Sequence, residues 1–267
     1  MIFRQLIDPE TSTYTYLLAD EHCFEAILID TVIEQFNRDR TLLEELGLTL
    51  RYTLETHVHA DHVTASSRFR QELGCKVVVG ARSGVVNADV AIGDNETLAF
   101  GAHRLTAVST PGHTSGCVTY LCREAGMAFT GDTLLIRGCG RSDFQDGDAA
   151  TLFESVRNKI FSLPERTLLY PGHDYKGRTV TTVREEKRFN PRLCLDRSRS
   201  DFLTLMEQLN LTYPRKMDVA VPANLESGLA LPHEPETDAP GKRAGSVAGV
   251  MEILGRQDAE MSMGMGI

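Results

Sequence analysis

The sequence predicts one large α/β domain on three observations: β-branched apolar runs recurring through the first two thirds, segments of helical spacing interleaved between them, and a length of 267 residues that can bury one substantial core. The runs are AILID (26 to 30), YTLETH (52 to 57), KVVVG (76 to 80), LTAVST (105 to 110), CVTYLC (117 to 122), MAFTGD (127 to 132) and TLLYPGH (167 to 173). They read as strands, several buried on one or both faces. The helical segments are EQFNRDRTLLEELG, stopped by Gly47, HVTASSRFRQELG, stopped by Gly74, and ATLFESVRNKIFSL, ended by Pro164. In the third of these Leu152, Val156, Ile160 and Leu163 recur every three or four residues, the spacing of a core-facing helix stripe. TVREEKRFN and SDFLTLMEQLN follow as helices, the latter with Ser200 as its expected N-cap. Composition changes at Pro232, where PHEPETDAPGKRAG reads as a linker and SVAGVMEILGRQDAEM as one short amphipathic helix. The expected organisation is therefore a domain over 1–231 and a C-terminal linker and tail over 232–267.

No apolar run approaches the ~20 residues of a membrane span, and the N-terminus lacks the pattern of a secretory signal, so the expected location is the cytosol. The six cysteines are scattered with no C-x-x-C pair, against both a disulfide framework and a zinc ribbon. A net charge of −9 argues against nucleic acid or an anionic membrane as partner, since both select basic surfaces. An anionic small substrate would need only a few local cations.

Chemistry concentrates in four clusters, THVHADH, TPGHT, TGDT and PGHD, each just past a predicted strand. Residues at strand ends converge on one edge of a sandwich, so His57, His59, Asp61, His62, His113, Asp132 and His173 can meet although distant in sequence. His57 and His59, two apart, point to the same side of an extended segment, while Asp61 and His62 sit on the turn that begins the next helix. A single histidine is most simply a packed or surface residue. Four metal-competent side chains within H-x-H-x-D-H have no packing explanation, because burying them without a cation is costly. Imidazole with carboxylate suits zinc, iron or manganese. Gly112, Gly131 and Gly172 each precede an expected ligand at a sharp turn. His22, His103 and His233 stand apart and are expected at the surface.

At these residues the chain resembles the metallo-β-lactamase superfamily over roughly residues 1 to 230, which implies a four-layer αββα sandwich with the metal site at one edge. Members include hydrolases and redox enzymes, so the fold does not choose the reaction. RGCGRSDFQDGD (137 to 148), YPGHDYKGRTVTTVREEKRFNPRL (170 to 193) and MDVAVPANLESG (217 to 228) resemble the persulfide dioxygenases of that superfamily. The related glyoxalase II shares GCGR, but two phenylalanines and a glutamate usually follow it there, where this chain has Ser142, Asp143, Phe144 and Gln145.

The resemblance implies one Fe(II) per chain on His57, His113 and Asp132, leaving positions for the persulfide sulfur and O2, with glutathione persulfide, O2 and water giving glutathione and sulfite. His59, Asp61, His62 and His173 would then orient the ligands and bound water by hydrogen bonds. The alternative is a site for two zinc ions that share Asp132 and hydrolyse a glutathione thioester such as S-lactoylglutathione. A non-catalytic persulfide sensor on the same fold is a third possibility, disfavoured by the complete ligand set. Arg141 is the expected contact for a glutathione carboxylate, against a plain ion pair with Asp143 or Asp146, and Tyr175 the expected contact for the tripeptide or persulfide. Arg215 and Lys216 offer further cations, and Cys139 is best explained as a small residue in a tight turn. The resemblance also implies a homodimer.

Overall fold

In the computed structural model, which describes residues 1–229, the strands form two six-stranded sheets. In the first, β1 (Ile2–Ile7), β2 (Tyr14–Ala19) and β3 (Glu25–Ile29) run antiparallel. β4 (Thr49–Leu54), β5 (Lys76–Gly80) and β6 (Val90–Ile92) extend it in parallel. A parallel pair needs a crossover, and α1 (Phe36–Glu45) and α2 (Ser66–Leu73) supply those before β4 and β5. In the second sheet β7 (Thr97–Phe100), β8 (His103–Ser109), β9 (Val118–Cys122) and β10 (Met127–Gly131) form an antiparallel meander. α3 (Ala149–Glu154) crosses over to β11 (Leu168–Pro171), parallel to β10, and β12 (Thr181–Thr182) closes the edge. α4 (Val183–Phe189), α5 (Arg199–Glu207) and α6 (Met217–Leu225) follow.

The period of two along each strand sorts side chains into layers. From β2, Tyr16 and Leu18 face the inter-sheet core with Ile27, Leu54, Val78, Leu105, Tyr120 and Phe129. Their neighbours Leu17 and Ala19 face outward onto Phe36, Leu43 and Phe69 of α1 and α2. Across the molecule Leu121, Ala128 and Leu169 pack on Leu152, Phe153, Val156, Ile160 and Phe202. Both sheets are thus covered on both faces, the four-layer αββα arrangement. Each fully buried Leu or Phe in these layers contributes about 1.5–3 kcal/mol.

Three local expectations change. α2 starts at Ser66, not at His62, because the backbone before it is committed elsewhere: Asn224 of α6 accepts from Thr64 N at 2.9 Å and donates to His62 O at 2.8 Å. The third helix is regular only to Glu154, after which Ser155–Ile160 takes π-helical turns. The wider turn keeps Val156 and Ile160 buried while Ser155 Oγ donates to Pro111 O at 2.7 Å, two residues before His113. The N-cap of α5 is Ser198, whose hydroxyl accepts from Asp201 N at 3.1 Å; Ser200 lies inside the first turn. β1, β2, β6, β7 and β12 are additions to the strands expected from sequence. The division at Pro232 and the helix expected beyond it lie outside the described residues.

The end of the second sheet is fastened by a buried carboxylate. Glu186 of α4 is fully buried and accepts from Arg137 N at 2.9 Å, Asn190 Nδ2 at 2.8 Å and Thr181 Oγ1 at 2.8 Å, while the Arg137 guanidinium pairs with it. Removing the carboxylate leaves the buried Thr181 and Asn190 groups and the Arg137 amide without their acceptor, while the part-exposed Arg137 guanidinium keeps Glu185 at 2.7 Å. Glu186→Ala should therefore destabilise the fold by about 3 kcal/mol, and Glu186→Gln by less, read as lowered urea midpoints at unchanged m-value.

Candidate metal centre

The strand ends bring the seven expected residues to one rim. His57 and His59 follow β4, His113 follows β8, Asp132 follows β10 and His173 follows β11. Ring centroids of His57 lie 4.1 Å from His59 and 4.8 Å from His113, and His59 lies 4.4 Å from His62. One ligand atom each from His57, His113 and Asp132 falls within 4.8 Å of the others. Glycines make these approaches feasible. Gly112 and Gly131 take φ of 137° and 49°, and at Gly172 the constraint is space, since a Cβ would stand 2.6 Å from Asp132 Oδ1.

Neighbouring hydrogen bonds decide which nitrogen of each ring faces the rim. Thr56 Oγ1 donates to Asp30 Oδ2 at 2.9 Å, so toward His57 Nδ1, also at 2.9 Å, it acts as acceptor. His113 Nδ1 lies 2.6 Å from Arg141 O, a carbonyl that can only accept. Both imidazoles therefore carry their proton on Nδ1 and present an Nε2 lone pair to the rim. Burial, with the neighbouring His59 and His113 rings, holds the His57 pKa well below the usual histidine range, which keeps that lone pair available.

Asp132 divides its two oxygens. Oδ2 faces His113 Nε2 at 3.8 Å, and Oδ1 takes His173 Nδ1 at 2.8 Å. Burial opposes the charge on Asp132, yet the surrounding His173, His113 and His57 rings keep its carboxyl well below the usual carboxylate range. His173 hands the contact on, its Nε2 lying 2.9 Å from Asp61 Oδ2. Burial likewise opposes the Asp61 charge, and His173 and His62 outweigh it and hold its pKa low.

His59, Asp61 and His62 form a second cluster of ligand atoms within 4.8 Å of one another. His59 Nε2 lies 3.2 Å from Asp30 Oδ1 and 3.3 Å from Glu55 Oε2, off the line of a hydrogen bond. Burial disfavours its charge, but the Asp30 and Glu55 carboxylates push its pKa up to about 10. Both His59 ring nitrogens and His62 Nε2 are buried without a hydrogen-bond partner. The inward Nε2 lone pairs of His57 and His113 beside the ionised Asp132 carboxylate are the arrangement a divalent first-row cation satisfies, so this donor set fits a metal.

Around the rim, Arg141 is engaged on both of its ends, and its side chain makes the ion pair with Asp143 that the sequence offered as the alternative to substrate contact. Its carbonyl holds His113, while its guanidinium grips Asp143 through Nε at 2.6 Å and Nη2 at 2.7 Å and donates from Nη1 to Thr212 O at 2.7 Å. Tyr175 lies parallel to His173 at 5.9 Å with 72% of its surface exposed, an aromatic face open beside the site. Lys216 is bound to Glu10 at 2.9 Å and Glu34 at 3.0 Å. Cys139 is buried, and burial pushes its thiol pKa up, as suits a packed residue. Sequence reasoning missed Thr13, Asp30, Glu55 and Asn224. Of these only Asp30 leaves a trace, an acid closing the apolar run AILID, and it adopts φ 54° there.

Comparison with known proteins agrees with this geometry. Residues 8–173 match the family model of the metallo-beta-lactamase superfamily. A protein of Mus musculus, "Persulfide dioxygenase ETHE1, mitochondrial", is 50% identical over 233 residues, covering 87% of this chain and 91% of its own. The crystal structure of ETHE1 from Myxococcus xanthus superposes with a TM-score of 0.83 at 49% identity, over 85% of this chain and all of the other. A hydroxyacylglutathione hydrolase of Brucella ovis is 36% identical over 135 residues, 50% of this chain and 51% of its own. With 50% identity over most of both chains to the dioxygenases, against 36% over half of each chain for this hydrolase, the chain belongs to the metallo-β-lactamase superfamily and, within it, to the persulfide dioxygenase family.

Proposed function

We propose that this enzyme oxidises glutathione persulfide with O2 and water to glutathione and sulfite, releasing two protons, at one Fe(II) per chain held by His57, His113 and Asp132. The observation that carries this reading is the separate gathering of those two histidines and one carboxylate on the rim. Such a triad leaves coordination positions free, and Fe(II) bound there supplies the spin-allowed route to O2. The chain's own residues do the rest by orientation. Thr56 and the Arg141 carbonyl aim the two rings, and His173 fixes the turn of the Asp132 carboxylate. The open face of Tyr175 takes the glutathione moiety by packing, and Arg141, paired with Asp143 in the free enzyme, exchanges that pairing for a glutathione carboxylate. We place the reaction in the cytosol, a reducing setting that suits six free thiols, and assign the enzyme a homodimeric state by its resemblance.

A second reading, dizinc thioester hydrolysis, is favoured by one observation, the cluster of His59, Asp61 and His62 beside the first. Protein purified without added metal separates the two. The expected result is about one iron per chain with persulfide-dependent O2 uptake and no cleavage of S-lactoylglutathione; two zinc ions with thioester cleavage would reverse the assignment.

Variants test the roles. His113→Ala should lose both iron and activity, measured by elemental analysis and O2 consumption. Arg141→Ala should chiefly raise KM, by about tenfold or more, and unchanged kinetics would remove it from substrate binding. Gly172→Ala should drive a methyl into the Asp132 carboxylate, and reduced iron retention on dialysis against a chelator is the expected readout.

A further inference from the structure

We infer that Thr13 limits this site to one metal ion, by tying Asp61 and His173, two of the side chains that would hold a second, into a closed hydrogen-bonded group. This rests on the single-iron reading above and deepens it. Thr13 is fully buried at the foot of β2, and its hydroxyl lies 3.0 Å from His173 Nε2, 3.1 Å from Asp61 Oδ2 and 3.4 Å from His62 Nδ1. Those are three of the residues a second cation would need. The hydroxyl also meets Thr11 Oγ1 at 2.7 Å. Thr11 Oγ1 donates to Asp8 Oδ2, so Thr11 and Asp61 share the single Thr13 proton while the imidazole nitrogens face its lone pairs, and the hydroxyl has no unspent capacity.

The backbone keeps it there. Thr13 bridges His173 as an antiparallel pair, Tyr14 N donates to Gly172 O at 2.8 Å, and Asp8 N donates to Thr13 O at 2.8 Å. Asp61 Oδ2 and His173 Nε2 consequently face each other at 2.9 Å with the hydroxyl beside both. A second ion entering between them must turn these atoms toward itself and break the hydrogen bonds to Thr13. His57, His113 and Asp132 make no hydrogen bond to that hydroxyl, so the first metal is not opposed.

Thr13→Ala and Thr13→Ser both lose the methyl, and only the alanine variant loses the hydroxyl. The iron-loaded full chain is titrated anaerobically with Zn(II), following added zinc by calorimetry and retained iron by elemental analysis. The alanine variant should take a zinc ion beside its iron about tenfold more tightly than the native chain, and the serine variant should match the native chain. If alanine leaves zinc affinity unchanged or weaker, Thr13 has no such role, although the single-iron reading stands. If the native chain itself takes up a second ion as tightly as the first, the single-iron reading falls instead.

Discussion

The site depends on how one carboxylate shares its two oxygens. Asp132 follows β10, where Gly131 allows the chain to turn with φ 49°, and from there one oxygen faces His113 and the other is held by His173. Every other feature of the rim follows from keeping that division. His57 and His113 converge on the free oxygen with protons turned away, while His173 carries the bound oxygen back to Asp61 and Thr13. The β10 and β11 ends that set this contact are parallel neighbours, so the distance from Asp132 to His173 is fixed by sheet pairing rather than by a flexible loop.

The outer layer reaches the metal centre through backbone atoms. Asn190 Nδ2 donates to Gly138 O at 3.1 Å and Arg192 Nη1 to Cys139 O at 3.0 Å, while Glu186 anchors Arg137. These contacts hold the 137–141 turn, whose Gly140 N donates to Asp132 O at 2.7 Å and whose Arg141 O receives His113. The charged segment after His173 therefore acts on the chemistry without touching it. Arg141, expected as a side chain reaching for substrate, acts on the site in the structure through its carbonyl, which receives His113.

The gathering of these residues on one rim was legible in the sequence because four metal-competent side chains in six positions cannot be explained by packing, and because each later candidate follows a strand and a glycine. The layers were legible where apolar alternation was strong, as in KVVVG and CVTYLC. β2 was not, because TYTYLL mixes tyrosine and threonine into a strand buried on both faces, and their hydroxyls, not apolar character, find the partners there. Thr13, Glu55 and Asn224 were illegible for a different reason: threonine, glutamate and asparagine are ordinary residues at strand and helix ends, and their roles exist only through contacts made after folding. Asn224 shows the consequence, since by taking the backbone of His62 and Thr64 it delays α2 past the point where periodicity alone would start it.

Ligand identity is a weak guide to reaction here, because the same seven side chains are compatible with one iron or two zinc ions. The lone pairs carry more information. A carboxylate that bridges two cations needs a lone pair for each, and an imidazole that joins them needs a free nitrogen. In this chain Asp132 Oδ1 and both nitrogens of His173 are already in hydrogen bonds, whereas the inward nitrogens of His57 and His113 are free of them. His59 is turned differently again, with Nε2 toward the buried acids Asp30 and Glu55. On the inference drawn for Thr13, what distinguishes one metal from two is whether such neighbours occupy these lone pairs, not the ligand set itself. Such neighbours can change while every ligand stays in place, and that is how one constellation on one fold can serve both hydrolysis and oxygen chemistry.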